Sequence, residues 1–303
     1  MQGPIHRRSF LASAAAVAAL PWASRAAEPP VRLKKALKYG MIGGGTKEKP
    51  LTILDRFELA KKCGFEGVEM DSPSGINRDE VVAARDKSGL IIHGVVDSIH
   101  WGTRFSDPNP ETRKKAVEGL LTAIRDCKLY GGDTVLVVPG KVVPDKDESF
   151  EQVWQRSQEE IKKALPLAEE LKIKIAIEVV WNNFITKPEE LVKYCDEFKH
   201  PLVGAYFDTS NMLKYGVPAA TWIRALGKRM FKMDFKGYSA EKKPDGKDKG
   251  WVGIGEGTED WPEVLKACAE VGYNTWATAE VGGGGEEHLK KISALMDKIL
   301  QLA

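Results

Sequence analysis

The chain has 303 residues, of which 43% are hydrophobic and 29% charged, a composition typical of a globular protein with a substantial core. The formal net charge of +2 is too small to indicate a nucleic-acid-binding surface. The length allows two domains, but it also suits a single α/β barrel, a fold that commonly has ~250 residues.

Residues 1–27 are predicted to be an export signal rather than part of the fold. Arg7 and Arg8 precede a weakly apolar, alanine-rich stretch, and small residues follow near Ala26, where cleavage is expected. This order is typical of a signal of the twin-arginine type. A membrane anchor is disfavoured because the apolar stretch from residue 11 to 20 is shorter than the ~20 residues that a span needs. We therefore expect a periplasmic or secreted protein.

Removal of this segment changes the charge balance, because it carries Arg7, Arg8 and Arg25 but no acidic residue. The remaining chain has 42 basic and 43 acidic residues, so we expect no nucleic-acid partner. No other segment is apolar enough to predict a membrane span.

The cysteines are spread widely along the chain and form no CxxC pair of the kind that binds metal or exchanges disulfides. They are Cys63, Cys127, Cys195 and Cys268. An exported protein is permitted disulfides, but this scatter favours four buried free thiols.

From Leu37 onwards, short apolar runs alternate with amphipathic segments of helical periodicity. The runs predicted to be strands are residues 37–42, 65–70, 90–96, 133–138, 173–179, 202–207, 230–235 and 275–281. Strict alternation predicts a parallel sheet, and eight units predict closure into a single (β/α)8 TIM barrel within residues 28–303. An open doubly wound sheet is the alternative. The polar stretch 236–257 is predicted to be a loop over the mouth of the barrel.

Acidic residues end four consecutive predicted strands, at the edge where barrels of this type place their chemistry. These residues are Glu178, Asp208, Asp234 and Glu280. Unpaired carboxylates that converge in a partly buried site repel each other, and a divalent cation removes that conflict. The sequence therefore predicts one divalent metal ion. Oxygen ligands suit Mn, Mg or Ca, and they suit Zn when nitrogen is also present.

The sequences of four stretches resemble those of the xylose isomerase-like TIM barrels known as sugar phosphate isomerases/epimerases. The stretches are IEVVWNNF (177–184), VGAYFDTSNM (203–212), GKRMFKMDFKGY (227–238) and GEGTEDWPEVLKACAEVGYNTWATAEV (255–281). The resemblance extends from Leu37 to the C-terminus and is specific for the superfamily but weak for the substrate. In the keto-sugar 3-epimerases of this group, a Glu, an Asp, a His and a second Glu bind one divalent ion. The resemblance places these ligands at the four acidic residues named above.

One position departs from the family pattern. Relatives usually have His-x-Lys-Asp at the seventh strand, whereas this chain has Asp234 in place of the His and Gly237 in place of the Asp. An all-carboxylate site is harder, so we expect it to prefer Mn or Mg to Zn.

The resemblance implies isomerisation or epimerisation of a free keto-sugar through a cis-enediolate. The metal would polarise the substrate oxygens, while Glu178 and Glu280 would remove and return the proton from opposite faces. Export favours an unphosphorylated substrate, because sugar phosphates are largely intracellular. Seven residues near the strand ends are predicted to contact the sugar, with Asn211 standing where several relatives have a substrate-touching His. They are His100, Trp101, Lys141, Trp181, Asn183, Asn211 and Lys236.

Three alternatives remain open at this point. The same proton abstraction would serve a lyase or hydratase that acts on 3-keto-glycosides. A non-catalytic sugar-binding barrel is the second alternative. A DNA-repair endonuclease of the same fold is the third, but it needs a zinc site rich in His, and only His100 lies near a strand end. The sequence leaves homo-oligomerisation possible and does not specify the sugar.

Overall fold

The computed structural model describes residues 32–46 and 48–301, so the predicted export signal lies outside the described residues. Its centre is a closed barrel of eight parallel strands. They are β1 (Lys34–Lys38), β2 (Gly67–Ser72), β3 (Ile91–Asp97), β4 (Thr134–Val137), β5 (Lys174–Glu178), β6 (Val203–Asp208), β7 (Met230–Phe235) and β10 (Trp276–Ala279). Around the barrel the order is β1-β10-β7-β6-β5-β4-β3-β2, so chain neighbours are also spatial neighbours. The predicted TIM barrel is confirmed, and the open sheet is excluded.

Helices surround the barrel and begin at good capping residues. Thr52 and Ser149 each form a capping box, which satisfies backbone N–H groups in the first turn. The helices are α1 (Ile53–Lys62), α2 (Arg78–Ser88), α3 (Pro110–Tyr130), α4 (Phe150–Lys162), α5 (Leu165–Leu171), α6 (Pro188–Asp196), α7 (Ala219–Leu226), α8 (Trp261–Val271) and α9 (Glu286–Leu300). None of the helices within 32–46 and 48–301 is long and apolar enough to cross a membrane.

The first strand begins earlier than the sequence predicted. It occupies Lys34–Lys38, and residues 39–41 form a short 3-10 turn instead of continuing the strand. The prediction of 37–42 was wrong because the lysines of this run lower its hydrophobicity, although Ala36 and Leu37 are fully buried. The earlier start places Lys38 at the carboxyl end of β1, on the edge that carries the acidic residues.

The stretch predicted as a loop over the mouth contains a β-hairpin. Its strands, β8 (Tyr238–Lys242) and β9 (Asp248–Trp251), pair antiparallel and are too short and polar to stand out in the sequence. The backbone N–H of Val252 donates to the Gly237 carbonyl at 2.9 Å. A Cβ atom at Gly237 would lie 2.1 Å from the Gly253 carbonyl oxygen. The hairpin therefore packs directly on the end of β7, and only glycine at position 237 allows this packing.

The interior between barrel and helices is apolar, and the four cysteines contribute to it. All four are buried and free, as predicted.

Candidate metal centre

Sheet register brings the four predicted acidic ligands together. Asp208 and Asp234 are direct neighbours in the pairing of β6 with β7. Glu178 ends β5 opposite Tyr206 of β6, and the backbone N–H of Glu280 donates to the Phe235 carbonyl at 3.0 Å. One oxygen from each of the four carboxylates lies within 4.8 Å of the others. This cluster, which we call the acidic centre, lies at the carboxyl edge of the barrel.

The acidic centre keeps oxygen atoms available for a cation. Asp208 Oδ1 accepts the backbone N–H groups of Ser210 and Asn211, both at 2.7 Å, which holds the carboxylate in place. Asp234 Oδ1 is buried and has no hydrogen-bond partner among the described residues, while Asp208 Oδ2 and Asp234 Oδ2 each lie close to a single lysine ammonium group. Buried acceptors without donors are costly, and a hard divalent cation is the partner that an all-oxygen set suits. These residues therefore fit one divalent metal ion.

Two lysines neutralise part of the negative charge. Lys236 Nζ lies 3.0 Å from Asp208 Oδ2 and 2.8 Å from Glu280 Oε2. Lys38 Nζ lies 2.9 Å from Asp234 Oδ2 and also pairs with Glu69, a fifth buried carboxylate. Two ammonium groups among five carboxylates leave an excess of negative charge. This excess is the electrostatic reason to expect a further cation.

Glu178 and Glu280 have pKa values shifted in opposite directions. Burial, followed by repulsion from Glu280, raises the pKa of Glu178 to about 8. Burial also acts to raise the pKa of Glu280, but Lys38 and Lys236 outweigh it and hold the pKa below its usual range. Without a metal, one glutamate thus favours the protonated form and the other the ionised form at neutral pH, as in many acid/base pairs.

A cavity of ≈ 330 Å³ opens beside the acidic centre. Glu178 and Glu280 both line it, together with Lys38, His100 and Trp101. His100 is buried, and its Nδ1 accepts the backbone N–H of Val138 at 3.4 Å, while its Nε2 has no hydrogen-bond partner among the described residues. Burial lowers the pKa of His100 to about 3, so the imidazole is neutral. A neutral ring with a free nitrogen at the cavity wall is suited to a substrate hydroxyl.

Three other predicted residues lie at the acidic centre. Asn211 Nδ2 donates to Glu178 Oε1 at 3.2 Å, and Trp181 Nε1 donates to the Asn211 carbonyl at 2.7 Å. Lys236 bridges Asp208 and Glu280, as described above. Asn211 and Lys236 therefore hold the carboxylates, and the structure does not show them free for a sugar.

The structure does not bring Lys141 and Asn183 to this cavity. Both are exposed and lie outside its lining. The buried Asn182 side chain donates to the Gly140 carbonyl at 2.7 Å, which ties the turn after β5 to the turn after β4. Asn183 then adopts a left-handed backbone conformation with φ 57°. The turn geometry, which the sequence did not reveal, leaves these two side chains in solvent.

Sequence reasoning missed two residues of the site. Lys38 was overlooked because the first strand was placed too late, and Glu69 because it lies within β2 rather than at its end. The signal for Glu69 was present in the text VEMD, since a carboxylate buried within a strand requires a partner.

The comparisons with known proteins agree with this geometry. A family model described as "Xylose isomerase-like TIM barrel" matches residues 57–299, and the chain belongs to that family. An Escherichia coli K12 protein named "Putative L-ribulose-5-phosphate 3-epimerase" is 28% identical over 185 residues, 56% of this chain and 64% of that protein. Its namesake in Haemophilus influenzae is 27% identical over 175 residues, 54% of this chain and 60% of that protein. The chain thus spans less than two thirds of these curated relatives.

Solved structures establish the same fold. D-allulose 3-epimerase from Methylomonas sp. superposes with a TM-score of 0.72 at 17% identity, covering 90% of this chain and 99% of that chain. The E. coli 3-keto-D-glucoside 4-epimerase superposes with a TM-score of 0.71 at 15% identity, covering 89% and 100%. The curated relatives are thus named as putative 3-epimerases of a keto-sugar phosphate, and the solved structures show the shared fold.

Proposed function

We propose that the protein is a divalent-metal-dependent epimerase or isomerase of an unphosphorylated keto-sugar, acting through a cis-enediolate. The observation that carries this proposal is the placement of Glu178 and Glu280. They come from strands three apart in the barrel order, and both line the cavity beside the acidic centre. Two carboxylates from different strands that line one small cavity can supply the two proton-transfer groups that removal and return of a proton require.

The residues of this chain have different roles in the proposed reaction. Glu178, Asp208, Asp234 and Glu280 would hold the metal, which would supply polarisation of the substrate carbonyl and hydroxyl oxygens. One glutamate takes the proton from the carbon beside the carbonyl, and the other returns a proton to the opposite face. Asn211 and Lys236 hold these carboxylates in position, and His100 offers its free nitrogen to a hydroxyl.

Exchange of the α-proton in D2O tests this chemistry. Mn-loaded protein should exchange the proton next to the carbonyl of a keto-sugar, and NMR would follow the loss of its signal. Glu178→Gln and Glu280→Gln keep the shape and one ligating oxygen but remove the base, so each should slow exchange by ~10²–10⁴-fold. Asp97→Asn is the matched control, since Asp97 is a buried strand-end carboxyl outside the cavity lining.

If Glu178→Gln, loaded with metal, exchanges as fast as the unchanged protein, Glu178 is a ligand and not a base. If the unchanged protein exchanges no keto-sugar proton, the proposed proton transfer is wrong, and sugar binding without exchange in calorimetry would identify a non-catalytic sugar-binding barrel.

A second candidate reaction is elimination or hydration of a 3-keto-glycoside. It needs the same removal of an α-proton, so the cavity that Glu178 and Glu280 line would serve it as well. Release of an aglycone or of water in the same NMR experiment would identify it.

We also propose that residues 1–27 direct export by the twin-arginine route, on the basis of the sequence pattern. Fractionation of cells that express the full chain would test this, with Arg7→Lys combined with Arg8→Lys as the variant. The change should retain the protein in the cytoplasm.

A further inference from the structure

Three tryptophans near the mouth of the barrel are open to solvent. Trp101 is 61% exposed, Trp251 49% and Trp181 36%. Among residues 32–46 and 48–301, the other exposed large hydrophobic residues are Ile91, at the amino end of β3, and Leu129, near the end of α3. Exposed indoles are uncommon on a surface that binds nothing, because their faces are large and apolar. Their concentration at the mouth therefore indicates a binding surface.

The three rings stand on two sides of the mouth. Trp101 follows β3 and lines the cavity. Trp251 lies on the hairpin that follows β7, and β3 and β7 are four strands apart in the closed order of eight. The two tryptophans are thus carried by opposite sides of the barrel.

Trp181 and Trp251 form a rigid platform close to the acidic centre. Their rings stack at 4.9 Å between centroids with 22° between planes. Tyr238 packs edge-on against both, at 5.4 Å from Trp181 and 5.3 Å from Trp251. Lys236 Nζ, which pairs with Asp208 and Glu280, lies 5.3 Å from the centroid of the Trp251 ring. The Lys236 side chain therefore links the platform to the carboxylates of Asp208 and Glu280.

Charged groups surround the aromatic faces. Lys214 Nζ lies 4.5 Å from the centroid of the Trp181 ring, and the hairpin beside Trp251 carries the ion pairs Lys242–Asp248 and Lys249–Glu241. A lipid or an aliphatic peptide would desolvate these charges without compensation. A pyranose ring suits the mixture, because it has apolar C–H faces for the indoles and hydroxyl groups around its edge for the charged side chains.

We propose that Trp101 and the Trp181–Trp251 platform form a subsite for a second sugar ring, so that the substrate is a pyranose with its ketone away from the anomeric carbon, glycosidically linked to another pyranose. This inference rests on the proposed function, because it places the reacting ring in the cavity beside Glu178 and Glu280. The second ring lies at the mouth and contacts the tryptophans.

Three substrates separate the contribution of the second ring from that of the glycosidic bond. They are a free keto-hexose whose ketone lies at C3, its methyl glycoside and a disaccharide that carries the same keto ring, because a glycosidic bond at the carbonyl carbon itself would remove the ketone and its acidic α-proton. Deuterium exchange at the α-carbon by the Mn-loaded protein gives kcat/KM for each. The disaccharide should be used about tenfold better than the other two, which is the size of effect that one stacked ring provides.

Substitutions assign this preference to the tryptophans. Trp251→Ala and Trp101→Ala should each lower the ratio of kcat/KM for the disaccharide to that for the free keto-hexose, mainly through KM. Ile91→Ala, which removes an exposed apolar side chain at the opposite end of the barrel, should leave the ratio unchanged.

Equal use of the methyl glycoside and the disaccharide would overturn the subsite while leaving the proposed function intact. Absence of exchange with all three substrates would overturn the proposed function itself. Light scattering tests a different role for the tryptophans. If the unchanged protein is a dimer, Trp251→Ala is a monomer and the substrate ratio is unchanged, the tryptophans form a subunit interface and the subsite is overturned.

Discussion

The two ends of the barrel differ in the balance between ammonium groups and carboxylates. At the amino end, Lys232 Nζ lies 2.8 Å and Lys174 Nζ 3.2 Å from the two oxygens of Asp133, whose side chain is half-exposed. Two cations thus share one carboxylate that water also solvates. At the carboxyl end, Lys38 and Lys236 serve five carboxylates, most of them fully buried. At the amino end the cations outnumber the carboxylate, whereas at the carboxyl end the carboxylates outnumber the ammonium groups, which is consistent with one divalent metal ion there.

Neutral hydrogen bonds connect the two ends through the barrel core. Tyr206 Oη lies 3.2 Å from both Glu69 Oε2 and Thr278 Oγ1, and Thr278 Oγ1 lies 3.3 Å from His93 Nε2. Lys232 Nζ donates to the His93 carbonyl at 3.2 Å. Burial and the nearby lysines Lys232 and Lys38 hold the pKa of His93 well below its usual range, so this ring stays neutral. The core between the two charged ends therefore adds no charge to either.

The largest effect should follow loss of a carboxylate at the carboxyl end. Asp208→Ala should abolish binding of the divalent ion, because it removes a ligand oxygen that the backbone holds in place. Proton exchange should fall by roughly 10³-fold or more, since polarisation by the metal contributes several kcal/mol. Elemental analysis after gel filtration and exchange in D2O measure both. Asp133→Asn at the amino end should keep the metal, and retention of one ion per chain by Asp208→Ala would contradict the assignment.

Matched lysine substitutions compare the two ends directly. In metal-free protein, Lys38→Met leaves Asp234 and Glu69 buried without their cation, which should lower the free energy of unfolding by about 3–5 kcal/mol. Lys232→Met removes a buried ammonium whose carboxylate keeps Lys174 and water, so its effect should stay within about 1 kcal/mol.

Urea denaturation measures both lysine variants, and added Mn should restore part of the loss in Lys38→Met only. Equal losses in the two variants would mean that the ends do not differ in the way described.

A carboxyl that faces the helices provides a third environment. Asp97, at the end of β3, is fully buried, and neither oxygen accepts a well-formed hydrogen bond from the part of the chain that is described. Burial raises the pKa of Asp97 to about 7, and the backbone N–H of Ile99 offsets this only in part. The folded protein therefore keeps this proton after the unfolded chain has lost it.

Stability should fall as the pH rises from about 4 to about 7 and then level off, with a total contribution of about 4 kcal/mol from this group. Asp97→Asn should remove that fall. Urea denaturation at pH 5 and pH 8 checks it, and an identical pH dependence in the two proteins would show that Asp97 does not titrate in this range.

The smallest expected effect is a change of metal preference. Asp234→His replaces one carboxylate oxygen with a nitrogen, so the site should keep its metal and shift its preference from Mn towards Zn. Competition between the two ions in calorimetry measures the shift. If Asp234→Ala leaves metal affinity unchanged, Asp234 is not a ligand.

The fold and the acidic centre could be predicted from the order of apolar runs along the sequence and from the acidic residues at their ends. Asp208 and Asp234 end apolar runs in consecutive strands, and parallel strands place such residues on one edge. Lys38 and Trp251 could not be found in this way, because a lysine-rich strand and a polar hairpin have little hydrophobic contrast. Lys141 lies four residues beyond the end of β4, whereas each acidic residue lies within one residue of its strand end. The exposure of Lys141 depends on the path of the turn, which sequence spacing does not determine.

The hairpin can change in length without altering the strand ends of the barrel. The Gly237–Val252 hydrogen bond fixes its base, and its tip, residues 243–247, turns in solvent without approaching the carboxylates. A change in tip length alters loop-closure entropy only slightly, by ~0.6 kcal/mol per doubling. During evolution this insert can therefore be lengthened, shortened or replaced while the strand ends that hold the carboxylates stay constant. The same separation offers protein engineers a graft point where substrate size can be altered independently of the chemistry.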